Sequence, residues 1–148
     1  MAALSDAFPL LTFSSAVRDL GVTLDCRLTF ATHINLLSRD CFYQLRQLRT
    51  DCSLTPSATS TLVHAFVANR LDYCCSLYAG LHACRLGSLD RVLRSAARLI
   101  GGIPKFGHVS QYMHDVLHWL PAEQRISYRI ASLVWHCLVG LAPVYLYT

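Results

Sequence analysis

The chain has 148 residues, 53% of them hydrophobic and only 15% charged, enough to bury one core and too short for two ordinary domains. Its net charge of +4 sets twelve arginines and a single lysine, Lys105, against nine acids, an excess too mild to prove a polyanionic partner. Charged residues fall below the usual quarter and the mean hydropathy is +0.36, which favours a piece of something larger over a free-standing domain.

Residues 1–8 read as a disordered N-terminus. They and the next few residues lack the basic start and unbroken apolar run of a secretory signal, so an intracellular chain, in cytoplasm or nucleus, is expected. Pro9 to Phe13 and Val17 to Leu24 read as two short strands turning at Ser14-Ser15, because Leu20, Val22 and Leu24 alternate with Asp19, Gly21 and Thr23. The hairpin at 9–25 must lean on helices, since two strands alone are barely stable in water. A helix is expected from Thr29 to Thr50. At about 100° per residue, Phe30, Ile34, Leu37, Cys41, Leu45 and Leu48 fall within about 80° of one another, and Arg39 and Arg46 project opposite with Tyr43 between them.

Ser53 or Thr55 is expected to cap the next helix, with Pro56 in its first turn. The stretch Thr61 to Gly80 reads as one helix, large and apolar on one half and small on the other, and is taken as the middle of the fold. Arg70 sits within the apolar half. A buried guanidinium needs a counter-charge or acceptors, and Asp72 lies about 200° round the helix, so Arg70 is expected to form a structural ion pair with a residue from elsewhere.

Ser88 is a candidate N-cap for a helix over Leu89 to Ile100, whose apolar face (Leu89, Val92, Leu93, Ala96, Leu99, Ile100) lies opposite Arg91, Arg94 and Arg98. Gly101-Gly102 and Pro104 stop it. A short helix covers Ser110 to His118. Pro121 starts the last one, with Ile126, Ile130, Leu133, Val134, Cys137 and Leu141 inward. Its polar stripe is Arg125, Arg129, Ser132 and His136, flanked by Tyr128 and Trp135, and Pro143 closes it. The most membrane-like run, Ile130 to Tyr147, is broken by His136 and Pro143, so no membrane span is expected. The fold class that results is mainly α: a helical bundle of about five helices with a short N-terminal β-hairpin, residues 9–148 forming a single domain.

Little in the chain supports catalysis. The seven cysteines are an odd number without a C-x-x-C pair, and Cys74, Cys75, His82 and Cys84 fit no zinc spacing, so reduced thiols are expected. His114 and His118 are four apart but lack the intervening glutamate of a zinc protease. No metal, cofactor or catalytic residue is assigned. Two-metal polymerisation needs clustered carboxylates holding ions about 3.5–4 Å apart; no Asp-Asp pair occurs and Glu123 is the only glutamate. What remains is arginine. Arg91, Arg94 and Arg98 form a line that could follow a phosphate backbone, and Arg39 and Arg46 repeat it; with Lys105, Arg125 and Arg129 they are the candidate nucleic-acid-binding residues. The plain alternative is a solvated helix face.

Four stretches in order, VRDLGVTLD (17–25), LVHAFVANRLDYCCSLYAGL (62–81), LDRVLRSAARLI (89–100) and LHWLPAEQRISYRI (117–130), resemble the C-terminal part of reverse transcriptases of jockey-like non-LTR retrotransposons. The resemblance covers nearly everything from Val17 onward. It implies the thumb and following region of an RNA-directed DNA polymerase, a strand beside the primer followed by helices that grip the template–primer duplex. The palm aspartates would lie before residue 1. The family's usual residues are asparagine where Cys75 stands, proline where His82 stands, and a glutamine-rich turn where Asp90 to Arg94 read DRVLR. The family also continues past Tyr145-Leu146, which implies a truncated element copy or a short open reading frame derived from one. The expected role is non-catalytic binding of an RNA/DNA duplex. The alternative is a helical module that meets a palm-bearing polypeptide or itself.

Overall fold

The computed structural model describes residues 14–51 and 53–146. The N-terminal stretch 1–8, the strand expected at Pro9 to Phe13, and Cys52 lie outside the described residues. The fold is a helical bundle behind an N-terminal hairpin. Strand β1 (Ala16–Asp19) pairs antiparallel with β2 (Val22–Asp25), Val17 opposite Leu24 and Asp19 opposite Val22. The turn is Leu20-Gly21, with φ of +44° and +84°, the two left-handed residues of a tight hairpin loop. The expected second strand is therefore a whole hairpin. Val22 is buried, Leu24 packs against the core, and Leu20 projects into solvent at the tip.

Asp25 organises the turn from sheet to helix. Its carboxylate accepts the Thr29 and Arg27 amides at 2.9 and 3.0 Å and the Thr29 hydroxyl at 2.9 Å. These bonds, led by the Thr29 amide, hold its pKa below the usual carboxylate value. Helix α1 (Ala31–Thr50) then buries Ile34, Cys41 and Leu45 directly behind Phe30, with Leu37 and Leu48 half-buried, as the spacing predicts.

Helix α2 is one rod in three sections: α-helical Pro56–Val63, a π-helical turn at His64–Ala68, and α-helical Asn69–Asp72. Thr55 caps it, its Oγ1 accepting the Ala58 amide at 3.2 Å, with Pro56 in the first turn. The wide turn adds a residue and rotates the remainder of the helix by about 100°. Leu71 swings into the core, and Arg70 swings out to solvent. Two expectations fall here. Arg70 is exposed and forms no ion pair among the described residues, so the expected buried pair is not found there. The helix also ends at Asp72: Tyr73 turns extended, Cys74 takes φ +52°, and a 3-10 turn (Cys75–Tyr78) follows. The Tyr73 hydroxyl donates to the Leu20 carbonyl at 2.7 Å and ties this break to the hairpin tip.

Helix α3 (Ala83–Ile100) starts well before the expected Leu89, because His82 Nδ1 caps it by accepting the Cys84 amide at 3.3 Å. It buries Leu86, Leu89, Val92, Leu93, Ala96 and Ala97. Its end is a Schellman motif: Gly102 has φ +61°, and the Ile103 amide donates back to the Arg98 carbonyl at 3.0 Å. Helix α4 (Ser110–Asp115) is shorter than expected, with His118 left-handed just beyond it. Helix α5 (Ala122–Leu138) is capped from outside, by Asp90 of α3 accepting the Ala122 amide at 2.8 Å. A 3-10 turn (Val144–Leu146) comes after it.

The hub is α3, which packs on α1, α2, α4 and α5. The sequence places that role on Thr61 to Gly80, whose contribution is narrower: Val63, Val67, Leu71, Cys75 and Tyr78 are buried, while Phe66, Tyr73 and Leu77 are exposed. Tyr78 stands edge-on to Phe30 (5.9 Å between ring centroids) and beside His33 (6.1 Å). No helix among the described residues is long and apolar enough to cross a membrane.

Candidate nucleic-acid interface

Helices α1 and α3 lie side by side and run the same way. One cavity brings Ala31, Ile34 and Asn35 at the start of α1 against Arg85, Ser88 and Arg91 of α3. Another brings Phe42, Leu45, Arg46 and Arg49 near the end of α1 against Ser95, Arg98 and Leu99 of α3, with Lys105 from the following loop. The apolar stripes of both helices face inward, so the arginines are left along the outer ridge.

Arg91 and Arg94 are exposed, and Arg98 is half-buried with its Nε out of water and without a hydrogen-bond partner. An orphaned donor costs about 1–3 kcal/mol, a cost that Arg98 shares with Arg125, whose Nε is likewise buried without a partner. Arg46, Arg49 and Lys105 stand around the same cavity, of about 440 Å³, with Arg49 and Lys105 exposed. Among the described residues no carboxylate lines it. Arg49 is not among the sequence candidates, although its place one turn after Arg46, at the end of α1, could have flagged it.

The other candidates go elsewhere. Arg39 lines a cavity of about 500 Å³ on the opposite flank of α1, shared with Arg18, Arg70, His33 and Tyr73. It sits 3.9 Å from Asp40 with both side chains mostly exposed, a contact worth little in water. Arg125 is a correction. Its Nη1 donates to Asp72 Oδ1 at 2.7 Å, its side chain is only 16% exposed, and it lies over the Trp119 ring at 5.9 Å. The structural ion pair expected at Arg70 is made by Arg125 and Asp72, joining the end of α2 to α5. Arg129 reaches the second Asp72 oxygen at 3.8 Å while remaining half-exposed.

His33 is buried, and its Nδ1 accepts the Thr23 amide at 3.2 Å, so the ring is neutral and pins β2 to α1. Burial, and then the nearby Arg18 charge, lower its pKa. Burial pushes the Cys41 thiol up to about 11, which makes it an inert core thiol. Among the described residues no group of three or more histidine, cysteine or acidic side chains is arranged to hold a metal ion.

The far end of α5 departs from its expected packing. Ile126 is buried and Ile130 half-buried, but Leu133, Val134, Leu138 and Leu141 are exposed, as are Tyr128 and Trp135. Leu133 borders a cavity shared with Asp72, Tyr73 and Cys74, and Leu138 and Leu141 beyond it face solvent.

No protein-family model, curated protein or solved structure matches the chain.

Proposed function

We propose that this chain is a non-catalytic, thumb-like nucleic-acid-binding region of the non-LTR reverse-transcriptase kind, gripping a template–primer duplex along the α1/α3 ridge. The observation that carries the reading is the gathering of Arg46, Arg49, Arg98 and Lys105 around one carboxylate-free cavity, with Arg91 and Arg94 exposed further along α3. Cations so placed would release counterions from a phosphate backbone on binding, without reading sequence. The four-stretch resemblance supports the choice of duplex over single strand.

The test is binding of a short RNA–DNA hybrid across a salt series. Affinity should fall steeply with salt, and Arg91→Ala and Arg94→Ala should each make the log–log slope shallower by about one. A second reading has its own support in the exposed apolar run from Leu133 to Leu146: a helical self-association or protein-interaction module. No hybrid binding at low salt, together with concentration-dependent self-association that Leu138→Ser abolishes, would favour it.

A further inference from the structure

We propose that the cavity between the C-terminal ends of α1 and α3 is a pocket for one phosphoryl group. This goes beyond the nucleic-acid reading, because the pocket would take that group whichever molecule carries it. Four cationic side chains reach it from three elements: Arg46 and Arg49 of α1, Arg98 of α3, and Lys105 of the loop after α3. None of the described residues lining it is an acid.

The placement is built rather than loose. The Ile103 amide bonds the Arg98 carbonyl at 3.0 Å, and the Gly107 amide bonds the Pro104 carbonyl at 2.9 Å, so the loop carrying Lys105 folds back over α3. A Cβ on Gly107 would come within 2.6 Å of Ile103 Cγ2, so any side chain there would force Ile103 to shift. Beneath the charges, Phe42, Leu45 and Leu99 supply an apolar floor.

Helix ends offer the rival explanation for the cluster. Arg49 and Arg98 lie in the last turns of α1 and α3, where backbone carbonyls attract cations. Each helix end counts for about half a negative charge, which leaves the pocket with a net of about three positive ones. Nor do the carbonyls satisfy Arg98, whose buried Nε has no acceptor. The guanidinium groups that line the cavity can bind phosphoryl oxygens through paired N–H donors. The carrier is either the backbone of a nucleic acid or a small free phosphate ester.

The whole chain would be titrated with inorganic phosphate and pyrophosphate at low ionic strength, by calorimetry and by amide shifts across 98–107. Saturable binding is expected, weakened at least about tenfold in Arg98→Gln and in the exposed-site variant Arg49→Gln, and unchanged in Arg27→Gln, an exposed arginine on the loop before α1. Absence of binding, or equal binding by Arg49→Gln and Arg98→Gln to that of the wild type, overturns the pocket. Pyrophosphate displacing an RNA–DNA hybrid identifies the backbone as the carrier. Saturating pyrophosphate that leaves hybrid affinity untouched identifies a free phosphate ester. Pyrophosphate binding without hybrid binding removes the nucleic-acid reading and keeps the pocket; hybrid binding that ignores Arg49→Gln, without pyrophosphate binding, does the reverse.

Discussion

Replacing Asp72 by alanine tests the division between structural and ligand-facing arginines. Its carboxylate holds Arg125 at 2.7 Å with the two side chains 23% and 16% exposed, and Arg129 at 3.8 Å with the latter 53% exposed. A charge-assisted hydrogen bond away from water contributes about 1.5–3 kcal/mol, and the long, wet contact to Arg129 adds at most about a few tenths. The Arg125 Nε is already buried without a partner, so losing Asp72 leaves a mostly buried guanidinium still less satisfied. The expected loss is about 2–3 kcal/mol, or roughly 6–12 °C in Tm for a chain of this size. Denaturant unfolding of Asp72→Ala, Arg125→Met and the double variant would measure it, with a coupling above about 1 kcal/mol expected. Hybrid affinity, extrapolated to the folded fraction, should stay at the wild-type level in all three. Additive single losses would refute the ion pair as the link between α2 and α5, and a shallower salt slope in Arg125→Met would return that residue to the binding surface.

His33 should make stability depend on pH. Its pKa is lowered in the fold from the ordinary 6.5, so its contribution is full above that value and is lost as pH falls through the lower folded pKa. Exchange of the Thr23 amide should quicken over that window, and the same quickening in His33→Gln would exclude the histidine as its cause. Tyr78→Phe should raise stability by about 1 kcal/mol, since the buried hydroxyl has no partner. It should also remove the loss expected as pH rises from the ordinary 10 through the folded value of about 12. A chemical-denaturation midpoint lower than wild type would show that the hydroxyl is satisfied after all. Gly101→Ala should destabilise by about 1–3 kcal/mol, because the added Cβ would lie 2.9 Å from two Tyr112 ring carbons. An unchanged Tm would mean that the ring gives way freely.

Where an element is regular, its residues announce it. Phe30, Ile34, Cys41 and Leu45 repeat at helical spacing, and all of them are buried at α1. Misreadings arise where the backbone leaves the regular period. Leu20-Gly21 mimics strand alternation but forms a turn, because both residues sit at positive φ. Arg70 reads as buried because a uniform 100° wheel cannot register the added residue at His64–Ala68. Ser88 resembles a cap after Gly87, yet α3 runs straight through both, started by a histidine nitrogen. The outward direction of Arg91 and Arg94 is legible from α3 alone. The meeting of Arg49, Arg98 and Lys105 is not, since it depends on α1 and α3 ending at the same level and on the Gly102 reversal.

The wide turn in α2 also works as a spacer. Excising one residue there would restore an unbroken α-helix and leave Leu71 and Asp72 facing as they do now, whereas straightening the turn at unchanged length would wind Asp72 about a quarter-turn away from Arg125 and carry Arg70 toward the core. The bulge thus absorbs a surplus residue at no cost to the contact between the end of α2 and α5.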